Sequence, residues 1–277
     1  MNFETNIPPI LFGSFQISSD ETLYNIVSQA ANSGIKGFDT SPSYRTEEGV
    51  SKAINRYIAE HPGSSRADFY LQTKIDAWQM IEKKGDIRPF VKAKLKKINQ
   101  PYFDSLLIHW PQPDYFVDTW KYMEDLYQTG LVKSIGICNC RRRHFELLRN
   151  SQFELLPMTI QNEIHPFNTD FKNVEYFKSL GVYIQAYSPL CRMIPEISTN
   201  QTLIELAQKY EVSLVQLILR WHLENGIIPV VKTSKTERVK ENIFATQFKI
   251  SADDTEKISE LNKNFKIFLE SRCCPGY

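Results

Sequence analysis

The chain runs IKGFDTSPSY over residues 35–44, where a short apolar run ends in Asp39 and Tyr44 follows five positions later. Two later strand-like runs end in the same way, the first at Lys74 and the second at His109. Short apolar and β-branched runs of this kind are typical of buried parallel strands. In a closed barrel of parallel strands, the strand ends open onto one face, so side chains distant in sequence can meet there.

Eight such runs predict eight strands, separated by longer helix-like stretches. A chain of 277 residues suits one (β/α)8 barrel, which typically takes about 250 residues. We therefore expect an α/β fold, a (β/α)8 TIM barrel, with residues 1–277 forming a single domain. The strands are expected at 9–13, 35–39, 69–73, 104–108, 133–137, 158–161, 182–186 and 227–231.

Amphipathic periodicity, caps and glycine stops predict the helices between those strands. They are expected at 20–31, 49–59, 90–97, 122–127, 173–180, 202–210, 213–223, from 236 onward, and at 255–261. The triplet Arg141-Arg142-Arg143 is interpreted as a solvated helix start.

Composition excludes several classes of protein. Hydrophobic residues make up 42% and charged residues 23%, and the net charge is +1, so neither disorder nor a nucleic-acid partner is indicated. The chain has no run of about 18 apolar residues, so no membrane span is predicted. The start of the chain has no signal-peptide pattern. Five cysteines without zinc-site spacing predict reduced thiols, no metal site and a cytoplasmic protein.

The side chains at the predicted strand ends suit proton transfer. A phenol has a free pKa of about 10 and is a poor acid at neutral pH. A nearby ammonium such as that of Lys74 favours the phenolate of Tyr44, and a carboxylate such as Asp39 keeps the ammonium charged. With His109, this set predicts protonation of a carbonyl oxygen while hydride reaches its carbon.

The end of the last predicted strand suits an anionic cofactor. There is no Gly-x-Gly-x-x-Gly fingerprint, so a pyrophosphate must be held in another way. Lys232 and Arg238 flank hydroxyl side chains where a helix begins, and helix N-termini favour anions. This segment predicts binding of NADPH/NADP in preference to NADH.

The motifs together resemble the signatures of the aldo-keto reductase family, in a bacterial-type, short-loop form. They follow in family order across nearly the whole chain: GFDT (37–40) with Tyr44 and EEGVSKAI (47–54), TK (73–74), LIHWP (107–111), GLVKSIGICN (130–139), QNEIHP (161–166), AYSPL (186–190) and KTSKTERVKEN (232–242). The resemblance implies a (β/α)8 barrel that reduces aldehydes or ketones to alcohols with NADPH, usually as a monomer.

The resemblance also assigns roles to individual residues. Tyr44 would be the general acid, Lys74 and His109 would tune and orient it, and Asp39 would pair with Lys74. Tyr187 would stack on the nicotinamide, and Ser188 would contact the pyrophosphate. The full set of expected cofactor contacts is Asn139, Gln161, Tyr187, Ser188, Leu190, Lys232, Thr233, Ser234, Arg238, Glu241 and Asn242.

Aromatic residues after three strands are expected to bind the substrate, namely Phe15, Trp78 and Trp110. The C-terminal tail 262–277, which carries Phe268 and Tyr277, is expected to lie over the active-site mouth. The substrate itself is not determined; small aldehydes, dicarbonyls or keto-sugars are the expected class.

Two other functions remain open at this point. A regulatory barrel could sense nicotinamide redox state without much turnover. A metal-dependent hydrolase could use Asp39, Glu163 and His165 as ligands. The complete set of Asp39, Tyr44, Lys74 and His109 favours the reductase.

Overall fold

The protein forms a closed barrel of eight parallel strands. The computed structural model describes residues 6–151 and 153–274. The strands pair in chain order, and the last pairs with the first to close the barrel. They are β1 (Leu11–Gly13), β2 (Gly37–Asp39), β3 (Tyr70–Ile75), β4 (Ser105–Ile108), β5 (Ile135–Cys138), β6 (Thr159–Glu163), β7 (Tyr183–Tyr187) and β8 (Ile227–Lys232).

Helices cover the outside of the barrel. In the described residues they are α1 (Asp20–Asn32), α2 (Glu47–Glu60), α3 (Ala77–Glu82), α4 (Arg88–Lys97), α5 (Phe116–Gln128), α6 (Arg142–Asn150), α7 (Phe171–Ser179), α8 (Pro195–Ser198), α9 (Gln201–Lys209), α10 (Leu214–Glu224), α11 (Glu237–Phe244), α12 (Ala252–Ser259) and α13 (Glu270–Cys273). None of these helices is long and apolar enough to cross a membrane.

The predicted (β/α)8 fold class is confirmed, and all eight strands lie where the sequence places them, with ends shifted by at most two residues. The short helices α3, α8 and α13 were not predicted, because four to six residues are too few to show a helical period. The ends of the chain and position 152, including Tyr277 of the predicted tail, lie outside the described residues.

Helix α1 illustrates how the outer layer is specified. Ser19 caps it by accepting a hydrogen bond from the backbone N–H of Thr22 at 3.2 Å. Its buried face carries Leu23, Ile26 and Val27, at helical spacing, and packs into the continuous core between strands and helices.

The barrel interior changes character along its axis. Near the start of the strands it is apolar, with Leu11, Tyr70 and Val230 packed together. One layer higher, the side chains of Gln72 and Gln185 exchange hydrogen bonds at 2.9 and 3.0 Å. These two residues belong to β3 and β7, so their contact crosses the barrel. The polar layer therefore forms a floor beneath the strand ends.

Gly136 on β5 is required by close packing inside the barrel. A Cβ at this position would lie 2.2 Å from the backbone oxygen of Thr159 and 2.7 Å from Leu107 Cδ2. Thr159 is paired with Gly136 in the register of β5 and β6, so its backbone oxygen cannot move away without disturbing that pairing. Glycine is thus the residue that lets β5 approach its neighbours.

We predict that Gly136→Ala destabilises the protein by about 1–3 kcal/mol, the usual cost of overpacking a core. Urea unfolding followed by circular dichroism measures this loss. Gly13→Ala is the matched control, because a Cβ there meets Val230 Cγ1 at an ordinary 3.5 Å. Equal stability of the two variants would contradict the packing argument.

Candidate active site

A buried ion pair lies at the ends of β2 and β3. Lys74 Nζ donates to both carboxylate oxygens of Asp39 at 2.7 Å and to the backbone oxygen of Thr40 at 3.1 Å. The side chain of Lys74 is fully buried and that of Asp39 is 4% exposed. Burial opposes the charged form of Lys74, but the attraction of Asp39 outweighs it and raises the pKa of Lys74. The Lys74 amine therefore stays protonated at neutral pH.

Amide side chains hold Asp39 from below. Gln72 Nε2 donates to Asp39 Oδ1 at 2.7 Å, and Gln161 Nε2 lies 3.3 Å from the same oxygen. Gln161 also donates to Gln185 Oε1 at 2.8 Å. Gln72 and Gln185 were not identified from the sequence. Their signal was an amide in the middle of an otherwise apolar buried strand, which needs a polar partner inside the barrel.

Tyr44 lies on a short 3-10 turn, Pro42–Tyr44, directly after β2. Its hydroxyl is 3.4 Å from His109 Nε2, its ring centroid is 5.0 Å from that of Phe15, and Lys74 Nζ is 5.0 Å from the Tyr44 ring. The structure thus brings together all four side chains predicted to form the proton-donating set.

Burial dominates the ionisation of Tyr44. Removal from water raises the pKa of Tyr44 well above its usual value, and the opposing effect of Lys74 is smaller. The sequence predicted the effect of the ammonium but not the larger effect of burial. Tyr44 is consequently a protonated phenol at neutral pH, as a proton donor must be.

His109 has a second partner that the sequence analysis missed. Its Nδ1 lies 2.5 Å from Asp76 Oδ1 and 3.3 Å from Ser41 Oγ. Asp76 Oδ2 accepts a hydrogen bond from the backbone N–H of Ser43 at 2.9 Å. The carboxylate of Asp76 therefore links the imidazole to the turn that carries Tyr44.

The charge of Asp76 is stabilised by these contacts. Burial opposes its charged form, but the hydrogen bonds from His109 and Ser43 outweigh burial and hold the pKa of Asp76 below its ordinary value. A sequence signal did exist, since Gln72, Lys74 and Asp76 are spaced by two residues. Alternate residues of a strand share one face, so Asp76 continues the inward face of β3.

These groups open into a cavity of about 650 Å³, a size typical of small-molecule sites. Among the predicted site residues, the cavity is lined by Phe15, Asp39, Tyr44, His109, Trp110, Asn139, Gln161, Tyr187, Ser188, Leu190, Lys232 and Arg238. Residues that were not predicted, such as Arg192 and Cys273, also line it.

One predicted substrate residue lies elsewhere. Trp78 is on α3, is 51% exposed and packs edge-on against Phe90, with ring centroids 5.3 Å apart. It is not among the residues that line the cavity. The short helix α3, which was not predicted, directs Trp78 away from the strand ends.

The polar groups of the predicted nicotinamide end contact one another. Asn139 Nδ2 donates to the backbone oxygen of His109 at 2.9 Å, and Tyr187 Oη donates to Asn139 Oδ1 at 2.7 Å. Cys138 lies beside Gln161, with its Sγ 3.8 Å from Oε1, and burial raises the pKa of this thiol. These contacts order Asn139, Gln161 and Tyr187 along one side of the cavity.

The cavity lining also carries positive charge. Lys232 ends β8, Arg238 lies in the first turn of α11, and both are exposed cavity-lining residues. Thr233 Oγ1 shapes the loop between them by accepting from the backbone N–H of Lys235 at 3.0 Å. Among the predicted cofactor residues, those that do not line the cavity are Thr233, Ser234, Glu241 and Asn242. Two cations in a cavity that is also lined by the Tyr187 ring fit a dinucleotide that carries an additional phosphate group.

The C-terminal tail is attached next to the cavity. Glu163 at the end of β6 accepts hydrogen bonds from the backbone N–H groups of Ile267 at 2.6 Å and Phe268 at 3.0 Å. Phe268 lines the cavity and packs edge-on against Tyr187, with ring centroids 5.7 Å apart. His165 Nε2 is 3.1 Å from Glu163 Oε1, so two of the three candidate ligands of the hydrolase hypothesis contact each other, and Glu163 holds the tail.

Comparison with known proteins identifies the family. Residues 9–263 match the Aldo/keto reductase family. The uncharacterized oxidoreductase YtbE of Bacillus subtilis (strain 168) is 34% identical over 255 residues, which cover 92% of this chain and 89% of that protein. The glyoxal reductase of the same organism is 32% identical over 256 residues, with the same coverage of the two chains.

A solved structure agrees with these relatives. The Bombyx mori aldo-keto reductase AKR2E4, in complex with NADP, superposes with a TM-score of 0.86 at 28% identity and covers 96% of this chain and 92% of its own. The predicted family is therefore confirmed by sequence and by structure. The chain belongs to the aldo/keto reductase family, and it is an oxidoreductase that reduces aldehyde or ketone carbonyl groups.

Proposed function

We propose that the protein reduces small aldehydes and dicarbonyls with NADPH, and that Tyr44 is the general acid. The observation that carries this proposal is the position of Tyr44, whose hydroxyl faces the cavity 3.4 Å from His109 Nε2 and whose ring lies above Lys74. A protonated phenol in this position can give its proton to a carbonyl oxygen.

When bound, NADPH supplies the hydride that the carbonyl carbon receives. Tyr44 donates its proton to the carbonyl oxygen as the negative charge develops there. Lys74 then stabilises the phenolate that remains, and Asp39 keeps Lys74 charged and in place. His109 Nε2 lies 3.4 Å from the Tyr44 hydroxyl and orients that hydroxyl.

The cofactor is supported by the fit of the cavity. Tyr187 offers a ring for the nicotinamide, and Lys232 and Arg238 offer cations for phosphate. The relative AKR2E4 was solved with NADP. We assign Asn139, Gln161, Ser188 and Leu190 to the same cofactor on the ground that they line this cavity. Thr233, Ser234, Glu241 and Asn242 do not line this cavity and stay predicted cofactor contacts, with Ser234 and Glu241 exposed to solvent.

A small substrate is supported by the aromatic walls of the mouth. Phe15, Trp110 and Phe268 line the same cavity as Tyr44, and the ring of Phe15 packs against that of Tyr44. The connection between β4 and α5 spans only residues 109–115, so the mouth stays open on that side. One relative is a glyoxal reductase. Glyoxal is a small dialdehyde, so its binding needs few contacts beyond those near Tyr44.

The alternative of a non-catalytic nicotinamide sensor is not favoured. A sensor needs the cofactor site but no proton donor, whereas Asp39, Tyr44, Lys74 and His109 are all assembled. We therefore retain the reductase as the only proposed activity.

We also infer a cytoplasmic monomer that does not bind nucleic acid. A net charge of +1 gives no broad attraction for phosphate backbones, and the five cysteines are free thiols, as expected in a reducing compartment. Light scattering should give the monomer mass of 32.2 kDa. A mass of twice that value would contradict the inference.

We predict that Tyr44→Phe lowers kcat for glyoxal reduction by about a hundredfold to ten-thousandfold, the contribution of a general acid. NADPH binding should be unchanged, because only a hydroxyl is lost. Steady-state kinetics and fluorescence titration measure the two quantities. Tyr57→Phe is the control, since the Tyr57 hydroxyl contacts Asn32 and is remote from the cavity.

The ionisation of Tyr44 gives an independent check on this role. Because burial raises the pKa of Tyr44, no phenolate from this residue should form at neutral pH. Ultraviolet difference titration of the parent protein against Tyr44→Phe isolates its signal. A Tyr44 phenolate at neutral pH would exclude it as the proton donor for reduction.

We predict that the protein binds NADPH more tightly than NADH, and that Lys232→Met and Arg238→Met remove most of that preference. One lost hydrogen bond to a charged group corresponds to roughly a tenfold to hundredfold rise in Kd for NADPH. The Kd for NADH should hardly change, since NADH lacks the extra phosphate.

Lys235→Met is the matched control for these variants. Lys235 is an exposed cation in the same loop, but it does not line the cavity. Equal Kd values for the two cofactors in the parent protein would contradict the proposed phosphate site.

A further inference from the structure

The imidazole of His109 has two distinct neighbours, one on each ring nitrogen. Nδ1 lies 2.5 Å from Asp76 Oδ1, and Nε2 lies 3.4 Å from Tyr44 Oη. Ser41 Oγ also lies near the ring, 3.3 Å from Nδ1. The side chain of His109 is 19% exposed and that of Asp76 is 9% exposed.

An ionised carboxylate only accepts hydrogen bonds, whereas a neutral imidazole carries one N–H and one lone pair. The contact between Asp76 and His109 therefore requires the proton on Nδ1. It follows that Nε2 is the nitrogen that gains or loses a proton when His109 changes its charge. Without Asp76, both tautomers of a neutral ring would be available.

We propose that Asp76 is a positioning residue of the reductase, which holds the His109 proton on Nδ1 and thereby makes Nε2 the nitrogen that exchanges a proton beside Tyr44. This inference rests on the function proposed above. It adds Asp76 to the four side chains that meet at the strand ends, and it gives the two carboxylates different roles. Asp39 serves the ammonium of Lys74, and Asp76 serves the imidazole.

The surroundings of Asp76 support a fixed geometry. Its Oδ2 accepts from the backbone N–H of Ser43 at 2.9 Å, and the hydroxyls of Ser41 and Ser43 lie 3.3 Å from Oδ1. Its own N–H is held by Gln79 Oε1 at 2.9 Å. Asp76 is thus tied both to the turn of Tyr44 and to α3, and its carboxylate has little freedom to leave His109.

The proposed role accounts for the direction of hydrogen bonding at the mouth. In the neutral ring, the lone pair of Nε2 faces the hydroxyl of Tyr44 and can accept from it. In the charged ring, Nε2–H can donate to Tyr44 after that residue has given up its proton, and the other proton stays on Nδ1, where Asp76 accepts its hydrogen bond. One proton moves from Nε2 to the Tyr44 oxygen, and the partly buried ring takes up a replacement proton from bulk solvent.

Nuclear magnetic resonance of isotopically labelled histidine tests this assignment, with His109→Gln used to identify the signal. In the parent protein, the neutral ring of His109 should carry its proton on Nδ1. In Asp76→Asn, the amide can donate to Nδ1, so the proton should move to Nε2. Asp76→Glu, which keeps the carboxylate, should restore the proton to Nδ1.

Activity provides the second readout. With glyoxal as the probe, Asp76→Asn should lower kcat about tenfold to a hundredfold, the value of one hydrogen bond to a charged group, and leave the Kd for NADPH unchanged. Gln79→Ala is the control, because it removes the other tie of Asp76 to α3 and keeps the carboxylate. It should change neither the tautomer nor kcat.

Two outcomes would overturn the proposal. One is a neutral His109 with its proton on Nε2 in the parent protein, a result that requires no variant to fold. The other is an equal loss of kcat in Asp76→Asn and Gln79→Ala with no change of tautomer, which would make Asp76 merely a structural anchor. Failure of the proposed function itself would appear instead as full activity in Tyr44→Phe.

Discussion

The buried contact between Lys74 and Asp39 is the constraint on which the site depends. Taking two charges out of water costs several kcal/mol per ion unless hydrogen bonds replace the lost hydration. The barrel meets this requirement with the floor of Gln72, Gln161 and Gln185 and with the backbone oxygen of Thr40. Removing one partner would leave the other charged and unpaired, so the pair holds the ends of β2 and β3 in one fixed relation.

The electrostatic environment of Tyr44 depends on that ion pair. Tyr44 lies five residues after Asp39, on a turn that Asp76 ties to the end of β3. Burial favours the neutral phenol and Lys74 favours the phenolate, and burial is the stronger effect. The proposed acid is therefore kept protonated before the reaction, and the ammonium that would stabilise its conjugate base is already in place. This is a preorganised site in the electrostatic sense.

The mouth of the barrel is formed both by residues at strand ends and by the C-terminal tail. Tyr187 and Asn139 are joined by a hydrogen bond at strand ends, whereas Phe268 belongs to a tail held by backbone contacts to Glu163. The ring of Phe268 packs against Tyr187, and the guanidinium of Arg192 lies 4.9 Å from the Phe268 ring centroid. Phe268 and Tyr187 thus share one wall of the cavity, which couples the sequence of the tail to the shape of the cavity.

The sequence by itself determined the barrel and the position of Asp39, Tyr44, Lys74 and His109 at strand ends, because strand periodicity and βα alternation are local properties. Only the tertiary structure decided the rest. The link between Asp76 and His109 joins the ends of different strands, and the direction of Trp78 depends on the short helix α3. The ionisation of Tyr44 depends on how completely its neighbours exclude water, a quantity that no spacing of residues encodes.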